Sequence, residues 1–477
     1  MSPKSNNTPL RLALLMLTAA VTLATGCSNG SLSNTTSSAS TGSAFVVGTD
    51  APMASVTSLA VQIQSIELTD GSGNTANLIS GTPTVDFARY NGLQSLIDMN
   101  DVPVSDATGY TSATITLGPA TLGYLDTTTT PPTIETESAT LTTSTVTVTL
   151  AKPLIITHAA VPVGLRVDFD LRQSIQVDTN GDITGTVDPT FDIRSVARTD
   201  AGGYIDEFIA GVVSVNTTGQ SFIVQGPHGE QFTINVNGQT EWDGNASLST
   251  LNTSSIVQVS GQLDPADQTF DADEVAVLSD KGFYAAGQVT YVTPATGPAT
   301  SFDLYVRGLL PTTTGLQLGQ IAQVNLSGTE NYSIYWMHNP FTQFLFNSSG
   351  LVAGQSIAVG GPASGATNAN AVTVTRVNLR NWGFNGTIVA GSQSSTNGTF
   401  QMQINGFAGV LVPETVTVYL GNHCDFRYGL GAFADLTNGA NIRVVGLLLK
   451  NPTNGQVVLL GRHVDGLNTT DFATVNF

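Results

Sequence analysis

Residues 165–172, Leu165-Arg166-Val167-Asp168-Phe169-Asp170-Leu171-Arg172, alternate apolar and charged side chains without a break. Successive side chains of a strand point to opposite faces. This stretch therefore reads as a strand with Leu165, Val167, Phe169 and Leu171 in a core and the charged residues in water. The same period recurs upstream, where Leu59, Val61 and Ile63 alternate with Ala60, Gln62 and Gln64, and where Val146, Val148 and Leu150 alternate with threonines. One short helix is expected at 91–99, because Leu93, Leu96 and Ile97 fall on one helical side. Helices are too scarce to cover a parallel sheet, so residues 45–200 are expected to form an antiparallel β-sandwich in an all-β chain.

Downstream, the sequence repeats itself loosely. Gly211-Val212-Val213, Gly287-Gln288-Val289 and Gly386-Thr387-Ile388 each open a segment. Each segment later carries an apolar step closed by glycine: Val257–x–Val259–x–Gly261, Ile357–x–Val359–x–Gly361 and Ile442–x–Val444–x–Gly446. Alternating strands lie between, such as Phe232-Ile234-Val236, Phe302-Leu304-Val306 and Phe400-Met402-Ile404, and a last strand follows each step. Five or six short strands bent at a glycine predict small closed barrels of the oligonucleotide/oligosaccharide-binding type at 205–280, 285–380 and 384–467. One or two larger sandwiches are the alternative, and the unequal spacing argues against a solenoid.

The amino-terminal segment MSPKSNNTPLRLALLMLTAAVTLATGC has the order of an export signal: Lys4 and Arg11, an apolar run, then small residues before a cysteine. The run is shorter than the roughly 20 apolar residues a membrane-spanning helix needs. Residues 1–26 are accordingly expected to be a signal peptide. Leu23-Ala24-Thr25-Gly26-Cys27 resembles the bacterial lipobox, which implies acylation of Cys27, palmitate among the acyl chains, and firm anchoring to a bilayer. Ser28, in place of Asp, implies outer-membrane delivery. Residues 27–44 are rich in Ser and Thr, cannot recover the entropy of ordering, and read as a flexible tether. The chain has only two cysteines, so acylation of Cys27 leaves Cys424 without a disulfide partner.

Gly48-Thr49-Asp50-Ala51-Pro52 resembles the T-D-A-P opening of a domain common in bacterial lipoproteins, domain of unknown function 4382. The segments Val61-Gln62-Ile63-Gln64-Ser65-Ile66-Glu67-Leu68, Val85-Asp86-Phe87 with Asn91-Gly92-Leu93, Val167-Asp168-Phe169-Asp170 and Ser174-Ile175 are similar to its later motifs, in order, over about 150 residues. Arg89 and Tyr90 stand where that domain usually carries apolar residues. The resemblance implies fold boundaries and location but no activity. Residues 205–465 resemble, through shorter motifs, a second uncharacterised bacterial domain found in tandem behind the first.

The net charge of −19 and an isoelectric point near 4.3 exclude nucleic acid as an expected partner, since phosphate contacts need concentrated Lys and Arg. Motifs of chemistry are sparse. Gly26-Cys27-Ser28-Asn29-Gly30 fits G-x-S-x-G only formally, because no strand precedes it and no helix follows. His423-Cys424-Asp425 holds the groups of a nucleophilic set, although neighbours on a strand point to opposite faces. His158, His228, His338 and His463 have no zinc-ligand spacing.

Asp178, Asn180 and Asp182 alternate as in a calcium loop, yet Ile183 and Pro189 occupy the positions of its Gly and closing Glu, so a tight hairpin turn is the simpler reading. Asp267, Asp271, Asp273 and Glu274 are either a second calcium candidate or a solvated acidic rim. Glu135 and Glu137 have only the period-two part of a hydrolase pair, in a Thr/Pro-rich stretch that reads as loop. Tyr332, Tyr335 and Trp336 head an aromatic cluster, 332–346, that either binds a ligand or packs as a satellite core. Taken together, these features predict a non-catalytic lipid-anchored envelope protein, without a required cofactor, that binds an extracellular polymer or another envelope protein. A polysaccharide hydrolase and a structural spacer without a ligand are the alternatives.

Overall fold

The computed structural model describes residues 41–466, apart from 52–55, 91–93, 106, 127, 158–162, 180–182, 200–202, 227–228, 230, 244–245, 280–281, 311–313, 335–345, 367–370, 405–410, 413–414, 428 and 452–453. Cys27 and the export segment lie outside the described residues. No helix among the described residues is long and apolar enough to cross a membrane.

The first domain is the expected sandwich. A four-stranded sheet packs on an eight-stranded one. The small sheet runs in the order Phe191–Ala197, Val163–Asp170, Thr41–Ala51, Ser95–Pro103, and the large one is centred on the long pair Val56–Asp70 and Tyr110–Asp126. Leu165, Val167 and Phe169 enter the shared core beside Leu59, Val61 and Ile63, as their alternation requires.

Four sequence expectations need correction. The sandwich begins at Thr41 rather than 45, because Thr41 to Ala44 pair with 100–103 and so belong to the fold instead of the tether. The pairing is not purely antiparallel: Thr41–Ala51 runs parallel to Val163–Asp170. The helix expected at 91–99 is absent over its described part, where Ser95–Pro103 is an edge strand. Leu96 and Ile97 do not share a side; Ile97 enters the sandwich core, while Leu96 and Met99 pack toward the next domain. Finally, the charged face of the strand Val163–Asp170 is not wholly in water. Arg166 and Asp170 are buried, and Leu171 starts a single helical turn, Leu171–Ser174, capped by Asp170. The opposite face of the small sheet is covered by the barrels, and Phe45 and Val47 join the first barrel's core.

Three small barrels follow with one connectivity. In the first, Ile205–Asn216 pairs with Ser221–Gln225, and that strand with Gln231–Asn235. The third strand meets the fifth, Thr269–Ser279, in parallel; the fourth, Ile256–Asp264, lies between the fifth and the first and closes the ring. Strands Trp382–Ile388, Thr399–Ile404, Thr415–Arg427, Asn441–Lys450 and Val457–Gly466 repeat this order as a closed barrel. The middle barrel does so with its fifth strand interrupted between Ala371–Thr373 and Arg376–Arg380. This is the Greek-key order of the oligonucleotide/oligosaccharide-binding barrel. A buried leucine after a short 3-10 turn recurs five residues before each fourth strand, at Leu251, Leu351 and Leu436.

The glycines behind the repeat have a steric reason. At Gly446 the register shifts against the last strand, and a Cβ would lie 2.0 Å from the Leu460 carbonyl oxygen. At Gly287, in the first strand of the middle barrel, a Cβ would lie 1.7 Å from that of Tyr305. The equivalent Gly211 faces open space.

Polar side chains buried between the domains join them. Arg462 of the third barrel meets Glu274 of the first at 2.8 Å, with Glu274 only 1% exposed. Arg380 of the second barrel lies 3.2 Å from Glu207 of the first, donates to the Tyr284 hydroxyl at 2.7 Å, and donates to Gln258. The Gln355 amide donates to the Leu448 carbonyl across the second and third barrels. Asp206 accepts the Gln94 N–H, and Arg307 donates to the Ala88 carbonyl at 2.7 Å, tying both to the sandwich.

Two sets of variants test this account by urea denaturation. Gly287→Ala and Gly446→Ala should each cost about 1–3 kcal/mol or more from overpacking, whereas Gly211→Ala should be neutral or stabilise by about 0.5 kcal/mol. Arg462→Met alone should cost about 3–5 kcal/mol by stranding the Glu274 carboxylate, and adding Glu274→Leu should recover most of that loss.

Candidate functional site

The residues singled out in the sequence do not assemble into one centre. Asp178 follows the strand Ile175–Val177, which pairs antiparallel with Ile183–Val187 as a hairpin requires; Asn180 and Asp182 lie outside the described residues. The acidic group at 267–274 does not converge. Asp271 is paired with Arg198 at 3.2 Å, while Glu274 turns inward to Arg462. Among the described residues no group of three or more His, Cys, Asp or Glu side chains is arranged to hold a metal. Glu135 and Glu137 sit on a surface strand, Thr133–Leu141, rather than a loop, with Glu135 exposed and Glu137 half-buried. Tyr332 packs edge-on to buried Phe346, with ring centroids 5.6 Å apart, inside the second barrel's core; Tyr335 and Trp336 lie outside the described residues.

Cys424 lies on the strand Thr415–Arg427 and packs against the third barrel's core. Burial pushes its thiol up to about 12, and the carboxylates of Asp425 and Asp465 add to the effect. The thiol is therefore protonated at neutral pH, when a nucleophile needs the thiolate. His463 and Asp465 approach to 3.8 Å, but both are buried, so substrate has no route to them. Burial holds the imidazole well below its usual range and pushes Asp465 up to about 6. Their position at the junction of the barrels makes them part of its polar seam.

What the tertiary structure does assemble is a cleft of about 790 Å³ between the sandwich and the first two barrels. That volume lies within the roughly 300–1,000 Å³ of small-molecule sites. The sandwich supplies one wall through Leu96 and Met99 of its edge strand and through the segment 80–86. The first barrel supplies Phe208, Ile209 and Phe232, and the second supplies Val306, Arg307 and Leu318. Arg89 and Tyr90, from the 3-10 turn Phe87–Arg89 and its cap, lie at the base.

Each charged group there has a distinct situation. Asp86 is half-buried, and its desolvation pushes the carboxyl up, while Arg307 beside it and the Leu59 N–H at 3.0 Å favour the carboxylate. Arg307 is fixed by Ala88 and lies over the rings of Tyr305 and Trp382, 5.0 and 5.2 Å from their centroids. Such contacts hold a guanidinium without neutralising it. Asp98 accepts from the Ser80 N–H and hydroxyl. Tyr90 is a neutral phenol, its hydroxyl pushed up to about 12 by burial.

Sequence reasoning noticed Arg89 and Tyr90 only as departures from a family pattern, and it passed over Arg307, Arg380 and Arg462. A signal was present. In a chain with only 16 Lys and Arg, Arg307 and Arg462 interrupt apolar strands and Arg380 ends one, where a charge must find a partner.

The fold thus defines an all-β protein in which a sandwich is followed by small barrels of the oligonucleotide/oligosaccharide-binding topology. Residues 41–184 match the family model described as Domain of unknown function (DUF4382), and residues 210–276, within the first barrel, match the one described as Domain of unknown function (DUF5666). No curated protein matches the chain. The second and third barrels share the first one's strand order although the second match ends at residue 276.

The protonated state of Cys424 can be checked directly. With Cys27→Ala in place, a disulfide-exchange reagent at pH 8 should titrate Cys424 about a thousand-fold more slowly in the native chain than in denaturant, following the thiolate fraction.

Proposed function

We propose that this is a non-catalytic, lipid-anchored protein of the cell envelope that holds an envelope component in the cleft between its sandwich and first two barrels. The observation that carries the reading is the cleft itself: three domains converge on one concave surface of mixed apolar and polar side chains. Its carboxylates favour binding over hydrolysis. Asp86 is committed to Leu59 and Arg307, and Asp98 to Ser80, so neither is placed as a free acid or base. The anchor is read from the lipobox at Cys27 and the export segment before it. The polar seam that fuses the barrels also favours a second reading, a rigid spacer that displays another molecule without binding a ligand of its own.

Radiolabelled palmitate should enter the native chain and be lost with Cys27→Ala. Retention of envelope components on the immobilised chain should fall at least ten-fold with Ile209→Asp or Leu318→Asp, both on the cleft wall. Unchanged retention in both variants would leave the spacer.

A further inference from the structure

The cleft carries a cation that is not committed elsewhere. Arg89 is half-buried at its base and makes no hydrogen bond or ion pair with any described residue. Arg89 and Arg307 share the cleft lining with Asp86 and Asp98; Arg307 lies beside Asp86 and Asp98 accepts from Ser80, which leaves Arg89 as the guanidinium without a hydrogen-bonded partner among the described residues. A guanidinium presents paired donors that match a carboxylate.

The walls narrow the choice of body attached to that anion. Leu96, Met99, Ile209 and Leu318, the last 54% exposed, are the partly exposed aliphatic side chains of the walls, beside the polar Ser80, Thr82, Thr84 and Asp98. The aromatic rings nearby, Phe208 and Phe232, are buried at 6% and 1% exposure, so they offer no open face on which a sugar ring could stack. Tyr90 is likewise buried. An alkyl chain fits such walls, and a polysaccharide finds no platform on them.

We propose that the cleft binds a single-chain amphiphile with an anionic carboxylate head and an aliphatic tail, its head on Arg89 and its tail along Leu96, Met99, Ile209 and Leu318. This assignment rests on the reading of the cleft as the binding site. Arg307 is held by the Ala88 carbonyl and the two rings beside Asp86, while Arg89 makes the direct contact.

Isothermal titration of the full chain carrying Cys27→Ala, with octanoate, decanoate and dodecanoate below their micelle concentrations, tests it. One site per chain is expected, tightening about four-fold per added methylene, the equivalent of about 0.8 kcal/mol for each buried CH₂. Arg89→Met should weaken dodecanoate at least ten-fold and leave 1-decanol unchanged, and Arg89→Lys should restore part of the loss. The thermal midpoint of each variant, equal to the parent's, separates lost contact from lost fold. Decanol binding as tightly as decanoate, or no response to Arg89→Met, overturns the assignment of the head group. Should maltohexaose or an envelope fraction bind and be lost with Leu318→Asp while no alkanoate binds, the amphiphile is wrong and the cleft reading stands. If nothing that binds responds to Leu318→Asp or Ile209→Asp, both fall.

Discussion

Buried arginines hold this molecule in one piece. Arg380 lies among Glu207, Gln258 and Tyr284, and Arg462 reaches Glu274, so the second and third barrels are each tied to the first through a charge removed from water. A buried ion pair adds little net stability over a hydrophobic contact of the same shape, because desolvation offsets attraction. Its effect is on specificity: a buried guanidinium tolerates only the arrangement that pairs it. Three barrels joined by short links would otherwise be free to swing, and domain motion is the ordinary expectation where interfaces are small.

That seam also explains why the cleft has a defined shape. Its walls come from the sandwich and the first two barrels, and Arg307 of the second barrel donates to a carbonyl of the sandwich and lies over Trp382 at the start of the third. The sandwich contributes through its small sheet, whose edge strand Ser95–Pro103 serves two cores at once, with Ile97 on one side and Leu96 and Met99 on the other. A strand used in this way cannot follow a simple in–out alternation, and its pattern of apolar residues was read as helical for that reason. The pairing partner Thr41–Ala51 is 50 residues upstream, too distant for local periodicity to register.

The repeated barrels illustrate what local signals carry. The alternating middle strands and the leucine before each fourth strand recur in all three barrels, and a glycine against a facing carbonyl recurs in the first and third, at Gly261 and Gly446. The candidate calcium, thiol and carboxylate sites show the opposite. Asp271 and Glu274 are three residues apart, yet one pairs with Arg198 near the surface and the other with Arg462 in the interior. Cys424 is adjacent in sequence to Asp425, but its burial keeps it protonated. Neighbours in the chain thus take different surroundings, because burial and long-range partners, not sequence proximity, set each group's environment.

From the sequence alone followed the all-β class, the order of a sandwich and then barrels, and the glycines that permit strands to cross closely. These depend on period-two alternation and on steric size, which are properties of neighbouring residues. Only the tertiary structure decided the fate of the charged face of 165–172, the arginine seam and the cleft that holds Arg89. Those depend on which surfaces become covered, and coverage is set by contacts between residues hundreds of positions apart, such as Ala88 with Arg307 and Glu274 with Arg462.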